Sequence, residues 1–95
     1  MVKNSQTSDI TLLDGGMGRE LLHIGAPFQQ PEWSALSLMQ TPDLVKKAHE
    51  SFARAGSDII TTNNYAVVPF HIGEERFSRE GAELTALSGQ LTQQV

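Results

Sequence analysis

The 95-residue chain contains no cysteine, which excludes disulfides and every thiolate metal site built from its own residues. Basic residues are few, seven against eleven acidic ones, for a formal net charge of −4. That balance offers no electrostatic footprint for nucleic acid or for an anionic membrane surface. No apolar run approaches the length of a membrane span. Residues 1–9 are polar with one basic residue, Lys3, and lack the apolar core of a secretory signal. They are expected to form a disordered leader, and the location is expected to be cytoplasmic. The remainder, 10–95, permits one compact domain or part of one, well short of the roughly 250 residues of an eight-unit α/β barrel.

What is present is a series of short apolar runs separated by clear punctuation. Ile10 to Leu13 breaks at Asp14-Gly15-Gly16, the pattern of a buried strand entering a tight turn. Met17 to Ile24 carries Leu21, Leu22 and Ile24 and meets Gly25, where a left-handed helix cap belongs. Gly25 to Pro31 reads as a loop, with Pro27 and Pro31, leading to Trp33 and the apolar Leu36, Leu38 and Met39. The clearest helix opens at Thr41-Pro42-Asp43 and closes at Gly56. Thr41 can cap the free amides, Pro42 suits the first helical position and Asp43 complements the positive helix end. Its apolar face is Leu44, Val45, Ala48, Phe52 and Ala55. Asp58 to Thr62, with Ile59-Ile60 and two threonines, has the length and β-branching of an interior parallel strand. Leu84, Leu87 and Leu91 then recur at helical spacing within Arg79 to Gln94. The predicted order of strand, helix, helix, strand, helix is that of successive right-handed βα units with a parallel strand pair.

In parallel α/β architecture ligands collect at the carboxyl ends of strands, here Asp14-Gly15-Gly16-Met17-Gly18 and Thr62-Asn63-Asn64-Tyr65. Adjacent strands would put Asp14 and the Thr62-Asn63 pair on one rim. A carboxylate beside glycine amides and a helix start matches an amino-acid zwitterion, with its ammonium on Asp14 and its carboxylate on the amides of Gly15 and Gly16. The same turn also serves as a plain strand-to-helix connection, and Thr62 and Asn63 also serve to satisfy backbone groups. Tyr65 and Trp33 are candidate walls or loop anchors. Gly15, Gly16 and Gly18 lack the dinucleotide-binding spacing, no P-loop lysine follows, and Asp14 would repel phosphate. His23, His49 and His71 are far apart in sequence and give no local metal-ligand pair. Packing or exposure is expected of them.

The ordered landmarks together resemble the homocysteine S-methyltransferases. They are Leu12 to Leu21 around Asp14-Gly15-Gly16-Met17-Gly18, then Trp33-Ser34-Ala35, Thr41-Pro42-Asp43-Leu44-Val45, His49, Ala55 to Ile60, and Thr62-Asn63-Asn64-Tyr65. The family's last motif more often reads Thr-Asn-Thr-Tyr. The resemblance implies an α/β fold, the first two βα units of a (β/α)8 TIM barrel that is incomplete in this chain. It implies methyl transfer from a donor such as S-methylmethionine or S-adenosylmethionine to the homocysteine thiol, giving methionine. In the complete family enzyme, zinc on three cysteines activates that thiol. Carried over, Asp14, Gly15, Gly16, Thr62 and Asn63 would bind substrate, and no catalytic or metal residue is assigned. Without cysteine the chain is expected to bind no zinc and to be inactive by itself. The competing expectation is a non-catalytic α/β module or remnant that binds an amino acid or a partner chain, or self-associates through uncovered apolar faces.

Overall fold

The computed structural model describes residues 10–95; the leader expected over residues 1–9 lies outside the described residues. Five helices follow in order: α1 Met17–His23, α2 Ser34–Gln40, α3 Pro42–Ala55, α4 Pro69–Ile72 and α5 Glu74–Gln93. Among the described residues no strand forms, so the expected α/β class, the first βα units of a TIM barrel, is overturned: the chain is helical.

The two runs predicted as strands do lie parallel, but they share a single bridge, Leu13 with Ile59. The Asp14 N–H donates to the Ile59 carbonyl at 3.1 Å, and the Asp58 N–H donates to the Leu12 carbonyl at 2.7 Å. On either side of this contact a carboxylate takes the place of a backbone acceptor. Asp58 Oδ2 accepts the Leu12 N–H at 2.9 Å, and Asp14 Oδ2 accepts the Thr61 N–H at 2.9 Å. A ladder needs consecutive backbone rungs, and these side chains end it after one.

The helices follow their local chemistry. At the end of α1, Gly25 stands at φ 79°, with Ala26 N–H on the Leu21 carbonyl and Gly25 N–H on that of Leu22, the Schellman pattern. In α3, Pro42 occupies the first turn, Asp43 is the acidic residue there, and Gly56 ends the helix at φ 112°. Thr41 departs from expectation: its side chain makes no cap bond to α3, and its hydroxyl donates to the Ser37 carbonyl, closing α2. α2 itself was given no element from the sequence, which offered only the apolar positions Leu36, Leu38 and Met39. Ala35, Leu36, Ser37 and Leu38 are all buried, and a segment covered on every side shows no amphipathic stripe. α5 begins five residues before the predicted Arg79, because the Glu74–Glu80 charge cluster forms its first turns. There Arg79 pairs with Glu75 and Glu80 at 3.3 and 3.1 Å, exposed contacts that contribute little.

The core lies between the helices, around Leu21, Leu38, Val45, Ala48, Leu84 and Leu91. On α3 the buried residues are Val45, Ala48 and His49, while Ala55, expected on the apolar face, is exposed. α3 packs on α1, α2 and α5 and so forms the central support.

Candidate functional site

The single parallel bridge puts the end of each extended segment beside the other, and Asp14 becomes the junction. Its carboxylate accepts the Thr61 N–H at 2.9 Å on one oxygen and the Thr61 hydroxyl at 3.1 Å on the other. Asp14, Gly15, Thr62 and Asn63 line one cavity of about 300 Å³, with Met17, Gly18, Ser34, Thr61 and Tyr65. Four of the five residues predicted for substrate are thus brought together. Gly16 is not among them; it lines a separate recess with Arg19, Glu20, His23 and Phe52.

The geometry refines each role. Asn63 is buried, and its side-chain amide donates to the Ser34 carbonyl at 3.2 Å, tying the start of α2 to the second segment. The Thr62 hydroxyl donates to Asn64 Oδ1 at 3.0 Å. Both contacts satisfy the protein's own groups. Gly15 was read as leaving room for a ligand, yet a Cβ there would lie 2.9 Å from the Phe52 ring, so its small size admits Phe52. Gly18 is tighter still: a Cβ would lie 2.6 Å from the Phe28 ring, closer than carbon atoms approach without displacement.

A second recess of about 390 Å³ adjoins the first, sharing Gly18, Ser34 and Tyr65 and adding Phe28, Trp33 and His71. Phe28 and Trp33 rings are 5.5 Å apart and tilted by 49°. Trp33 holds φ 52° and donates its N–H to the Gln29 carbonyl at 2.8 Å, an uncommon backbone state for a bulky residue. Trp33 therefore serves as both wall and anchor. Met17 and Gly18 stood in the loop expected to meet a ligand but were given no role, and Thr61 and Ser34 were not predicted to line the site. Thr61 had a signal in the sequence, since it is next to Thr62 at the strand end. Ser34 had none, because α2 was not recognised.

Packing decides the histidines. His49 is buried on α3, and burial lowers its pKa from the ordinary 6.5, opposed by the negative charge of Asp14. His71 Nδ1 lies 3.2 Å from the Pro31 carbonyl, and His23 is exposed. Among the described residues no three His, Asp or Glu side chains gather in a way that could hold a metal ion, and the sequence has no cysteine. The donors present therefore do not fit the thiolate zinc centre that the resemblance implies. Among the described residues no helix is long and apolar enough to cross a membrane.

Comparison with known proteins agrees with the resemblance. The chain is 35% identical over 81 residues to homocysteine S-methyltransferase 1 of Arabidopsis thaliana, covering 84% of this chain and 25% of that protein. It is 38% identical over 72 residues to homocysteine S-methyltransferase 3 of Zea mays, covering 76% and 21%. To the selenocysteine Se-methyltransferase of Brassica oleracea var. italica it is 37% identical over 60 residues, covering 63% and 17%. The chain thus spans about a quarter or less of the length of these relatives. No solved structure gives a significant match. The family model described as homocysteine S-methyltransferase matches residues 11–95, so nearly the whole chain carries the family's sequence, and it belongs to the homocysteine S-methyltransferase family.

Proposed function

We propose that this chain carries the amino-acid recognition part of a methyltransferase whose acceptor is homocysteine. The observation that carries this reading is the single cavity shared by Asp14, Gly15, Thr62 and Asn63. Asp14 presents a carboxylate to the ligand ammonium, a charge-assisted contact, and the turn at Gly15 faces the ligand carboxylate. Gly16, in a different recess, has no part in this arrangement. The relatives' names, homocysteine and selenocysteine methyltransferases, share an amino-acid acceptor, which is the chemistry such a pocket recognises. The adjoining recess with Phe28, Trp33 and Tyr65 offers aromatic faces that suit a methylated cationic donor such as S-methylmethionine or S-adenosylmethionine.

Methyl transfer to the homocysteine thiol, giving methionine, is the activity proposed for a protein of the relatives' length. The 95 residues supply no thiolate, and we expect no transfer from them alone; methionine formed by the purified chain with zinc and a donor would contradict this. Calorimetry with homocysteine tests the recognition reading. Asp14→Ala is expected to weaken binding at least about tenfold, the scale of one charge-assisted contact. Equal affinities in the two proteins would remove Asp14 from the ammonium site.

A further inference from the structure

Thr61 lines the same cavity as Asp14 and touches its carboxylate twice, through its N–H at 2.9 Å and its hydroxyl at 3.1 Å. A carboxylate offers only acceptor sites, so the proton in the second contact is the hydroxyl's own. A threonine hydroxyl has one donor and two lone pairs. With that donor directed at Asp14, Thr61 can offer an incoming group nothing but an acceptor. Thr62, in the same cavity, is in the same condition, because its hydroxyl donates to Asn64 Oδ1 at 3.0 Å. The cavity thus presents a carboxylate beside hydroxyl oxygens whose protons are already engaged.

The backbone keeps Thr61 and Asp14 together. The Asp14 N–H donates to the Ile59 carbonyl at 3.1 Å, which brings Thr61, two residues further along the extended segment, level with the Asp14 side chain. Thr61 Oγ1 and Asp14 Oδ1 are 3.1 Å apart, close enough for one nitrogen to reach both oxygens at ordinary hydrogen-bond length.

We propose that Thr61 is a second ammonium-binding residue that sets a preference for a primary amine: Asp14 supplies the charge, and Thr61 Oγ1 accepts another N–H of the same nitrogen. The role rests on the amino-acid reading of the cavity. Any protonated amine meets the charge of the carboxylate, whereas only a nitrogen with more than one N–H meets the hydroxyl oxygen as well. The ligand class is therefore a free α-amino acid. An N,N-dimethyl amino acid, equally cationic but with a single N–H, is selected against.

Calorimetry on the 95-residue chain with homocysteine and with N,N-dimethylhomocysteine tests this. Thr61→Val keeps the size of the side chain and the N–H bond to Asp14 while removing the hydroxyl. It is expected to weaken homocysteine binding about fivefold, the scale of one hydrogen bond, and to change binding of the dimethyl ligand by less than about twofold. Thr61→Ser, which keeps a hydroxyl, is expected to bind homocysteine as the unmodified chain does. Equal losses for the two ligands in Thr61→Val would mean that Thr61 acts only by holding Asp14, and overturn the proposal. So would no loss with homocysteine, the same loss in Thr61→Ser, or a dimethyl ligand that binds the unmodified chain as tightly as homocysteine. Each of these leaves the amino-acid reading standing, whereas absence of homocysteine binding to the unmodified chain overturns both. If the dimethyl ligand binds neither protein, the contrast between Thr61→Val and Thr61→Ser decides with homocysteine alone. Thr61 is exposed; should Thr61→Val nevertheless unfold, Thr61→Ala removes the same hydroxyl and decides by the same ratio.

Discussion

Leu38 and Val45, on α2 and α3, are sealed at 0% exposure, whereas Leu13 and Ile59, which meet in the parallel bridge, keep 61% and 48% of their surface open. The four side chains are chemically alike. What differs is the packing around them: α3 is packed on three helices, while Leu13 and Ile59 meet in a single bridge and stay open to solvent. A pair of extended segments cannot bury both faces. Stability in this chain accordingly comes from the helices, and the proposed site lies where they meet the poorly covered pair.

Mutations on the two sides should therefore differ sharply. The largest effect is expected from Leu38→Ala, which removes a fully buried side chain and leaves a cavity; the expected cost is about 2–5 kcal/mol in denaturant unfolding. A loss below about 1 kcal/mol would mean that the helices do not form the stable half. Gly18→Ala, at the boundary, places a methyl group 2.6 Å from the Phe28 ring and is expected to cost about 1–3 kcal/mol. It should also shift the fluorescence of Trp33, whose ring neighbours Phe28. A smaller effect is expected from acid. The pKa of His49 is depressed in the folded chain, so folding favours the neutral ring. That contribution is complete above the unfolded value of about 6.5 and is lost as pH falls through the lower folded value. Thermal melting followed from neutral to mildly acidic pH checks this, and a melting temperature that rises on acidification would reverse the sign. The smallest effect is expected from Leu13→Ser on the open pair, within about 0.5 kcal/mol. If it destabilised as much as Leu38→Ala, the contrast between the two regions would fail.

The same contrast explains what could be read from the sequence. α3 was legible because its signals are local: Pro42, Asp43 and Gly56 mark its ends, and Val45 and Ala48 repeat at helical spacing. Gly25 marked the end of α1 for the same reason. α2 was not legible, since burial on every side removes the periodicity that identifies a helix. The strands were misread through a different mechanism. Ile10 to Leu13 and Asp58 to Thr62 have strand composition, but composition does not report whether Asp58 and Asp14 will direct their carboxylates at backbone N–H groups and end the ladder. For the site, residues next to the Asp-Gly-Gly and Thr-Asn motifs could be found in sequence. Ser34, tied in by Asn63, depends on a contact between distant segments. His49 was identified as a landmark, while its burial follows only from how α3 packs.

The bonds from Asp14 to Thr61 have one more consequence, for the entropy of binding. A free aspartate side chain samples several rotamers, and freezing a flexible side chain on association commonly costs about 0.5–1.5 kcal/mol. Here both carboxylate oxygens are already held by the Thr61 N–H and hydroxyl, so the chain meets that cost when it folds. Each oxygen retains a second lone pair for an incoming donor. The carboxylate is thus preorganised, and in the proposed ammonium site the ligand would meet a partner already fixed in place.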